Sequence, residues 1–273
     1  MRLPRVRFTV RRMMVAVALS AVLAALALFL QRPSEAAQRD ACRRNLRLIA
    51  AGLAQYSVQF GSFPAGTVPN DRLPPERRLS WLFVVWAFFD QWNWLLNLAL
   101  PWDAPSNRLT RGHGVDEPPE AVGRMTYLTC PAADGSADER RPGWTWYVGV
   151  AGVGRDAAEL PNGHPRAGVF GYDRRTTSAD VKDGLSDTLL LAETRVVNGP
   201  WTAGGRAPVR GLDPDRRPYI GRGRQFGGLH RGGVNVAFAD GSVRFLRGSI
   251  DPQVFEALST VAGGESLATG WDR

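Results

Sequence analysis

The sequence is almost without lysine. Lys182 is the only one, and arginine supplies the remaining basic charge. The formal net charge is +8, but five arginines precede residue 13, so the remainder of the chain carries +3. A basic stripe interleaved with aromatic residues is typical of a nucleic-acid-binding surface, and the sequence contains none. The isoelectric point of about 10.4 therefore reflects the basic N-terminus and the use of arginine, and we expect no nucleic-acid partner.

The sequence also lacks the short motifs of common enzymes. Ser20 and Ser186 have no Gly-x-Ser-x-Gly context, and Gly152-Val153-Gly154 is too short a glycine pattern to predict phosphate binding. His113 and His164 lie in segments without hydrophobic periodicity. We therefore predict no catalytic residues and no cofactor, and we expect that the protein is not an enzyme.

Charge is absent from residues 13–30, which read MMVAVALSAVLAALALFL. At ~1.5 Å of rise per residue this stretch gives about 27 Å of helix, close to the ~30 Å thickness of a bilayer core. It is preceded, with no acidic residue, by Arg2, Arg5, Arg7, Arg11 and Arg12. The positive-inside rule then keeps residues 1–12 in the cytoplasm and places residues 31–273 outside the inner membrane. We predict an uncleaved single-pass anchor over residues 13–30, and a cleaved signal peptide is the alternative.

Cysteine is scarce, with only Cys42 and Cys130. Neither has a second Cys or a His nearby at the spacing of a zinc motif, so the sequence predicts no metal site. In the predicted topology both cysteines lie outside the membrane, where disulfides persist. We favour a Cys42–Cys130 disulfide. Two unrelated buried thiols are the alternative, because the sequence does not give the distance between them.

A second helix is predicted over residues 34–60. Ser34 is suited to the N-cap, and Gly61 followed by Pro64 ends the helix. Its apolar residues recur at intervals of three and four, at Cys42, Leu46, Ile49, Leu53, Tyr56 and Phe60. Because Pro33 separates this helix from the apolar stretch, we predict a membrane helix that continues, with a kink, into an amphipathic helix packed on the exported domain.

Residues 79–100 form a second hydrophobic stretch. Asp90 argues against a second membrane span, since an acid at mid-bilayer costs about 3 kcal/mol. We predict a buried element of the domain with Trp86, Trp92 and Trp94 inside, and a patch lying on the membrane is the alternative. Further along, short strands are expected at residues 124–129, 144–150, 169–172 and 189–193, a surface excursion at 198–228, and a final helix at about 252–261.

The strongest local signal is a β-hairpin over residues 234–246, because Asp240-Gly241 lies between two alternating runs. A two-residue turn there would pair Phe238 with Val243 and Val236 with Phe245. In that register one face carries Val234, Val236, Phe238, Val243 and Phe245, and the other carries Asn235, Ser242 and Arg244.

His230, nine further residues, and Asp240-Gly241 resemble the His-x9-Asp-Gly signature of a large bacterial family, domain of unknown function 1559, which is also labelled solute-binding-protein-like. Other segments resemble motifs of that family along nearly the whole chain. They are Cys42–Leu46, Gly61–Pro64, Leu79–Trp81, Pro101–Pro105, Cys130-Pro131, Asp183–Thr188, Glu193 and Gly263–Glu265.

Members of that family often begin like type IV prepilins, with Gly-Phe-Thr-Leu-x-Glu before the membrane helix. Phe8 and Thr9 match this pattern, but Arg7 stands in place of the Gly and Arg12 in place of the Glu. These departures speak against prepilin cleavage and filament assembly. The resemblance implies an α+β fold, in which a pilin-like long N-terminal helix, part membrane anchor and part amphipathic, packs on a mainly antiparallel β-sheet domain. It supplies no biochemical activity.

We therefore expect a membrane-anchored, pseudopilin-like protein with a structural, secretion or cell-surface role, whose partners are the inner membrane and either further copies or secretion-system components. The alternative is an extracytoplasmic module that binds glycan or peptide, which a tryptophan-lined groove would favour. Asp240, His230 and Glu193 have side chains that could act in acid–base catalysis, but we expect a structural role for each. Asp240 would form the hairpin turn, His230 would fix the approach to the hairpin, and Glu193 would end a strand. Asp183 and Asp187 fit either a turn or a calcium site.

Overall fold

The fold is α+β, with a single mixed sheet and four α-helices in the part of the chain that the structure describes. The structure is a computed structural model, and it describes residues 10–30, 33–88, 96–107, 126–133 and 144–265. The helices are α1 (Val10–Leu30), α2 (Glu35–Phe60), α3 (Trp81–Trp86) and α4 (Pro252–Ala257). The strands are β1 (Tyr147–Val153), β2 (Leu189–Glu193), β3 (Val209–Leu212), β4 (Gly233–Phe238) and β5 (Val243–Arg247).

The sheet has the strand order β3-β1-β2-β4-β5. Strand β1 pairs with β3 in parallel, and the other three pairings are antiparallel. Both faces of the sheet are apolar and covered, which is why its central strands contain almost continuous hydrophobic runs. One face packs with Leu46, Ile49 and Leu53 of α2, and the other packs with Phe226 and with Phe255 of α4.

Helix α2 is defined at both ends by its sequence. The Ser34 side chain accepts a hydrogen bond from the Ala37 N–H at 3.2 Å, which satisfies one of the free donors of the first turn. At the other end Gly61 adopts φ 75°, and its N–H donates to the Ser57 carbonyl at 2.8 Å. Between these caps the apolar stripe is buried from Cys42 to Leu53, so the amphipathic face lies on the sheet.

Helix α1 presents apolar side chains that the domain does not cover. The large ones that are described are each more than half exposed: Val10, Met13, Met14, Val15, Val17, Leu19, Val22 and Leu23. The side chains of residues 11, 12, 16 and 24–30 lie outside the described part. Among the residues that are described, no helix combines the length and the apolar character needed to cross a membrane.

The hairpin β4–β5 has a different register from the predicted one. Val236 lies opposite Arg244 and Ala237 opposite Val243. The loop contains three residues instead of two, because Phe238 and Ser242 still pair and the Gly241 N–H donates to the Phe238 carbonyl at 2.9 Å. This is a tight turn followed by a residue at positive φ, the usual form of three-residue hairpin loops.

The extra loop residue moves part of the hairpin to the opposite face, since side chains alternate along a strand. Val234, Val236, Phe238 and Leu246 face α4, whereas Val243 packs in the core beneath α2. Phe245 lies under the Arg39 guanidinium of α2, with 4.8 Å from its carbon to the ring centre. The prediction that Val243 and Phe245 share a face with Val236 is therefore wrong.

Several other predicted elements differ from the structure. Strand β3 lies inside residues 198–228, where a surface excursion was predicted, and all four of its residues are buried. The described part of 124–129 holds a 3-10 turn, Thr126–Leu128, and residues 169–172 are buried without forming a strand.

Of the three tryptophans predicted to lie inside the domain, Trp86 is buried, against Trp201 and Tyr127. Trp92, Trp94 and His113 lie outside the described residues.

A covalent link ties α2 to the domain. The structure joins Cys42 of α2 to Cys130, with 5.5 Å between their Cα atoms and a sequence separation of 88. Cys130 follows the 3-10 turn Thr126–Leu128, and both cysteines are buried. The link closes a long loop and therefore restricts the unfolded chain strongly.

We expect the double substitution Cys42→Ala/Cys130→Ala to lower the free energy of unfolding by roughly 4 kcal/mol, because the loop-closure entropy is lost. Urea unfolding of the full chain, followed by circular dichroism, measures this change. The control is the wild-type chain under reducing conditions. It lacks the S–S bond but keeps both cysteine side chains, so it separates the loss of the link from the loss of side-chain volume. An unchanged unfolding midpoint in both samples would mean that the link contributes nothing to stability.

We expect Gly241→Val to destabilise the domain by about 1–2 kcal/mol, because an L-residue with a side chain is disfavoured at φ 83°. A Cβ at Gly241 would meet no atom within 4 Å, so steric collision does not confuse the result. In thermal unfolding the midpoint should fall by about 2–8 °C. Gly241→Asn is the control, and its midpoint should fall less than that of Gly241→Val, since Asn tolerates this conformation. Equal midpoints for wild type and both variants would refute the turn geometry.

Candidate functional site

Four side chains with metal-ligating atoms meet beneath α2. They come from four separate parts of the chain: Cys42 from α2, Cys130 from the segment after the 3-10 turn, Glu193 from the end of β2, and His230 from the approach to β4. All four are buried, and one ligand atom from each lies within 4.8 Å of the other three. We call these residues the buried cluster.

The imidazole of His230 lies between the sulfur and the carboxylate. Its Nε2 is 3.5 Å from Cys130 Sγ and 3.4 Å from Glu193 Oε1. The side chains of His230 and Glu193 are both fully buried. Within the described parts of the chain, His230 Nδ1 has no hydrogen-bond partner. The ring thus directs one nitrogen at the cluster, while no described neighbour fixes the proton on the other.

The carboxylate of Glu193 is held in place by the neighbouring strand. Asn235 of β4 donates its backbone N–H to Oε2 at 2.9 Å and its Nδ2 to Oε1 at 3.0 Å. Tyr147 lies opposite Glu193 on the other side, in β1. A carboxylate removed from water is costly unless its oxygens are satisfied, and these contacts fix the orientation of Glu193 toward His230.

Tyr147 and Asn45 extend the polar centre toward α2. Asn45 Nδ2 donates to the Tyr147 hydroxyl and to the Thr129 carbonyl, each at 3.2 Å. Burial, and secondly the Glu193 carboxylate, raise the pKa of the Tyr147 hydroxyl well above its ordinary value, while the hydrogen bond from Asn45 opposes that rise. Tyr147 therefore stays neutral and can serve as a hydrogen-bonding group beside the cluster.

A basic pocket adjoins the cluster between α2 and the hairpin. It has a volume of about 390 Å³ and is lined by Arg39, Asp40, Arg43, Asn235, Phe245 and Arg247. Asp40 forms an ion pair with Arg43 at 3.6 Å, so the remaining charge of the lining is positive. Asn235 belongs both to the wall of this pocket and to the hydrogen bonds that hold Glu193.

The two halves of the His-x9-Asp-Gly motif are separated in the fold. Asp240 Oδ1 accepts from the Ser242 N–H at 2.8 Å, and its own N–H donates to the Leu185 carbonyl at 3.0 Å. Asp240 and Gly241 therefore shape the hairpin turn, whereas the His230 side chain belongs to the buried cluster. The motif thus combines a turn with a residue whose side chain contacts a carboxylate and a sulfur.

The two aspartates considered for calcium have other contacts. Asp183 accepts hydrogen bonds from the Gly263 and Gly264 N–H groups at 2.8 and 3.1 Å. Asp187 accepts from the Ser186 hydroxyl at 3.2 Å. Asp183 thus fastens the segment that follows α4 to the rest of the domain.

The prediction of no metal site rested on sequence spacing, which did not reveal the cluster. Cys42, Cys130, Glu193 and His230 are dozens of residues apart, and only the fold brings them together. A weaker signal was present, because Glu193 ends the apolar run Leu-Leu-Leu-Ala and Asn235 interrupts an apolar strand. A charged and a polar residue at core positions indicate a partner for each. Tyr147 and Asn45 gave no comparable signal.

The comparisons with known proteins agree with the resemblance found in the sequence. Residues 31–210 and 197–253 match the model of a family described as "Protein of unknown function (DUF1559)". The matched residues begin after the apolar stretch and include the whole buried cluster. No curated protein and no solved structure matches the chain. Because the family match covers well over half of the 273 residues, the chain belongs to the DUF1559 family of proteins of unknown function.

Proposed function

We propose that this protein is a membrane-anchored, pseudopilin-like scaffold that holds its sheet domain outside the cytoplasm, in a structural, secretion or cell-surface role. The observation that carries the proposal is the exposure of α1. Its described apolar side chains, such as Leu19 and Val22, are 59% and 63% exposed. A continuous apolar helix surface of this kind needs an apolar environment, and lipid is the environment that the sequence of residues 13–30 fits.

The orientation of the anchor is supported by charge and by cysteine chemistry. The arginines before residue 13 favour a cytoplasmic N-terminus. The domain would then lie in an oxidising compartment, which suits the Cys42–Cys130 link. Helix α2 follows α1 after Pro33 and is fixed to the sheet through its apolar stripe. The domain would therefore be attached to the membrane through a packed helix instead of a loose linker.

The pilin-like element of the proposal is the arrangement of a long N-terminal helix on a sheet. The first part of that helix would lie in the membrane and the second part, α2, lies on the domain. Arg7 and Arg12 replace the residues that prepilin processing and subunit docking use. We therefore propose a pilin-derived architecture that is kept as an anchor, with further copies or secretion-system components as its partners. Such a role needs no catalytic residues.

The alternative function is an extracytoplasmic module that binds glycan or peptide. An accessible groove lined by tryptophan would favour this alternative. Trp81, Trp86, Trp146 and Trp201 are all at most 2% exposed. The basic pocket beside the cluster contains no tryptophan in its lining. These four tryptophans form part of the core and offer no stacking surface for sugars, whereas Trp102 and Trp144 are only partly buried.

We expect Leu19→Arg/Val22→Arg to release the protein from membranes, because each arginine at the centre of a spanning helix costs about 2.5–3.5 kcal/mol. The measurement is the distribution of full-length protein between the pellet and the supernatant after a carbonate wash of native membranes. Wild type should remain in the pellet.

The matched control is Leu48→Arg/Val58→Arg, which adds the same charges to α2 at side chains that are 39% and 88% exposed. This variant should stay in the pellet. If wild type were found in the supernatant, or if both double variants remained in the pellet, the proposed anchor would be wrong.

A further inference from the structure

We propose that the buried cluster is a redox-dependent structural zinc site, in which Cys42, Cys130, His230 and Glu193 bind one Zn²⁺ when the two cysteines are reduced. The proposal concerns the interior of the domain and does not depend on the membrane anchor. It adds a metal ligand set that the sequence spacing excluded.

The donor set suits zinc. Two thiolates, one imidazole and one carboxylate are ligands that zinc accepts, and four protein ligands make the closed coordination of a structural site. Soft thiolates select zinc over magnesium or calcium. A catalytic zinc site keeps one coordination position open to water or substrate. All four side chains of the cluster are buried, so no ligand position faces solvent.

The distances also suit a tetrahedral ion. With Zn–N of ~2.05 Å, Zn–O of ~2.1 Å and Zn–S of ~2.3 Å, tetrahedral ligands lie about 3.4 Å (N to O) and 3.6 Å (N to S) apart. In the structure His230 Nε2 lies 3.4 Å from Glu193 Oε1 and 3.5 Å from Cys130 Sγ. Two of the six edges of the tetrahedron therefore already have the expected length. The four ligand atoms all lie within 4.8 Å of one another, and the two sulfurs must separate to about 3.8 Å.

The carboxylate of the cluster has the outer hydrogen bonds that a metal ligand usually has. Metal-bound carboxylates are usually oriented by outer hydrogen bonds, and Asn235 gives Glu193 two of them, at 2.9 and 3.0 Å. His230 Nδ1 has no partner among the described residues, so the outer hydrogen bonds are formed on the carboxylate and not on the imidazole. Zinc at Nε2 would fix the imidazole in the form that carries its proton on Nδ1.

The disulfide and the zinc site use the same sulfurs and exclude one another. A two-electron reductant, such as a dithiol or a phosphine, breaks the S–S bond, and with two protons this gives two thiols. Zinc then displaces both thiol protons and forms two S–Zn bonds. In the oxidised state the disulfide fastens α2 to the segment that holds Cys130. In the reduced state zinc would fasten α2 also to Glu193 at the end of β2 and to His230 before β4, so the helix stays attached to the domain under both conditions.

The test uses the full-length chain in detergent, reduced without oxygen by a phosphine that is then removed. Cobalt(II) is the spectroscopic probe. We expect equimolar Co²⁺ binding, with the strong visible bands of tetrahedral cobalt and a thiolate-to-metal charge-transfer band, both abolished when Zn²⁺ displaces the probe. The oxidised chain should show neither band.

Variants separate this site from incidental binding. His230→Ala should abolish the tetrahedral spectrum, and Asn235→Ala should weaken Co²⁺ binding about 10- to 100-fold through the outer shell. His164→Ala is the matched control, since His164 is partly exposed and its Nδ1 accepts from the Arg166 N–H at 3.1 Å. It should bind cobalt as wild type does.

Every outcome decides the proposal. A reduced, folded chain that gives only weak octahedral bands, or equal affinities for His230→Ala and His164→Ala, overturns it. If reduction unfolds the chain, addition of Zn²⁺ should restore its far-ultraviolet circular dichroism, and failure to restore it overturns the proposal as well.

Discussion

The burial of one face of α2 against the sheet is the contact on which the rest of the structure depends. Leu46, Ile49 and Leu53 are fully buried there, and each such side chain contributes about 1.5–3 kcal/mol relative to exposure. Because α2 directly follows α1 and Pro33, this contact also sets how the sheet domain is attached to the N-terminal helix. The hairpin, the buried cluster and the basic pocket all adjoin α2.

The polar centre beneath α2 raises a problem that the fold must solve. Glu193 and His230 are buried in a largely apolar interior, where an unsatisfied carboxylate is costly. Asn235 satisfies both carboxylate oxygens, and the sulfurs of Cys42 and Cys130 adjoin the imidazole. A core built only for stability would use apolar residues at these positions. Keeping four ligand-type side chains together points to chemistry at that place, whether as a disulfide or as a metal site.

What could be predicted from the sequence was set by local rules. The three-and-four spacing, Ser34 and Gly61 defined α2, because capping and amphipathicity act within a few residues. Asp240-Gly241 marked the hairpin for the same reason. The register was missed by one residue, since an Asp-Gly pair permits both a two-residue loop and a three-residue loop with glycine at positive φ, and the alternating runs did not distinguish them.

What could not be predicted depended on contacts between distant segments. Arg210 made strand β3 look like part of a polar loop, yet its guanidinium is buried and donates to the carbonyls of Val196, Val197 and Ala207. Burial lowers the pKa of Arg210 to about 9, and backbone carbonyls take the place of a carboxylate partner. The buried cluster was missed likewise, because only the packing of α2 on β2 and β4 brings its four residues together.

The measurement that tests the anchored scaffold most directly is the intact mass and N-terminal sequence of the protein isolated from carbonate-washed native membranes. The account predicts a chain that still contains residues 1–30 and begins at or near Met1. A chain beginning at Phe8 would show prepilin processing in spite of Arg7 and would favour filament or secretion assembly. A chain that had lost residues 13–30, or protein found only in the wash, would contradict the account.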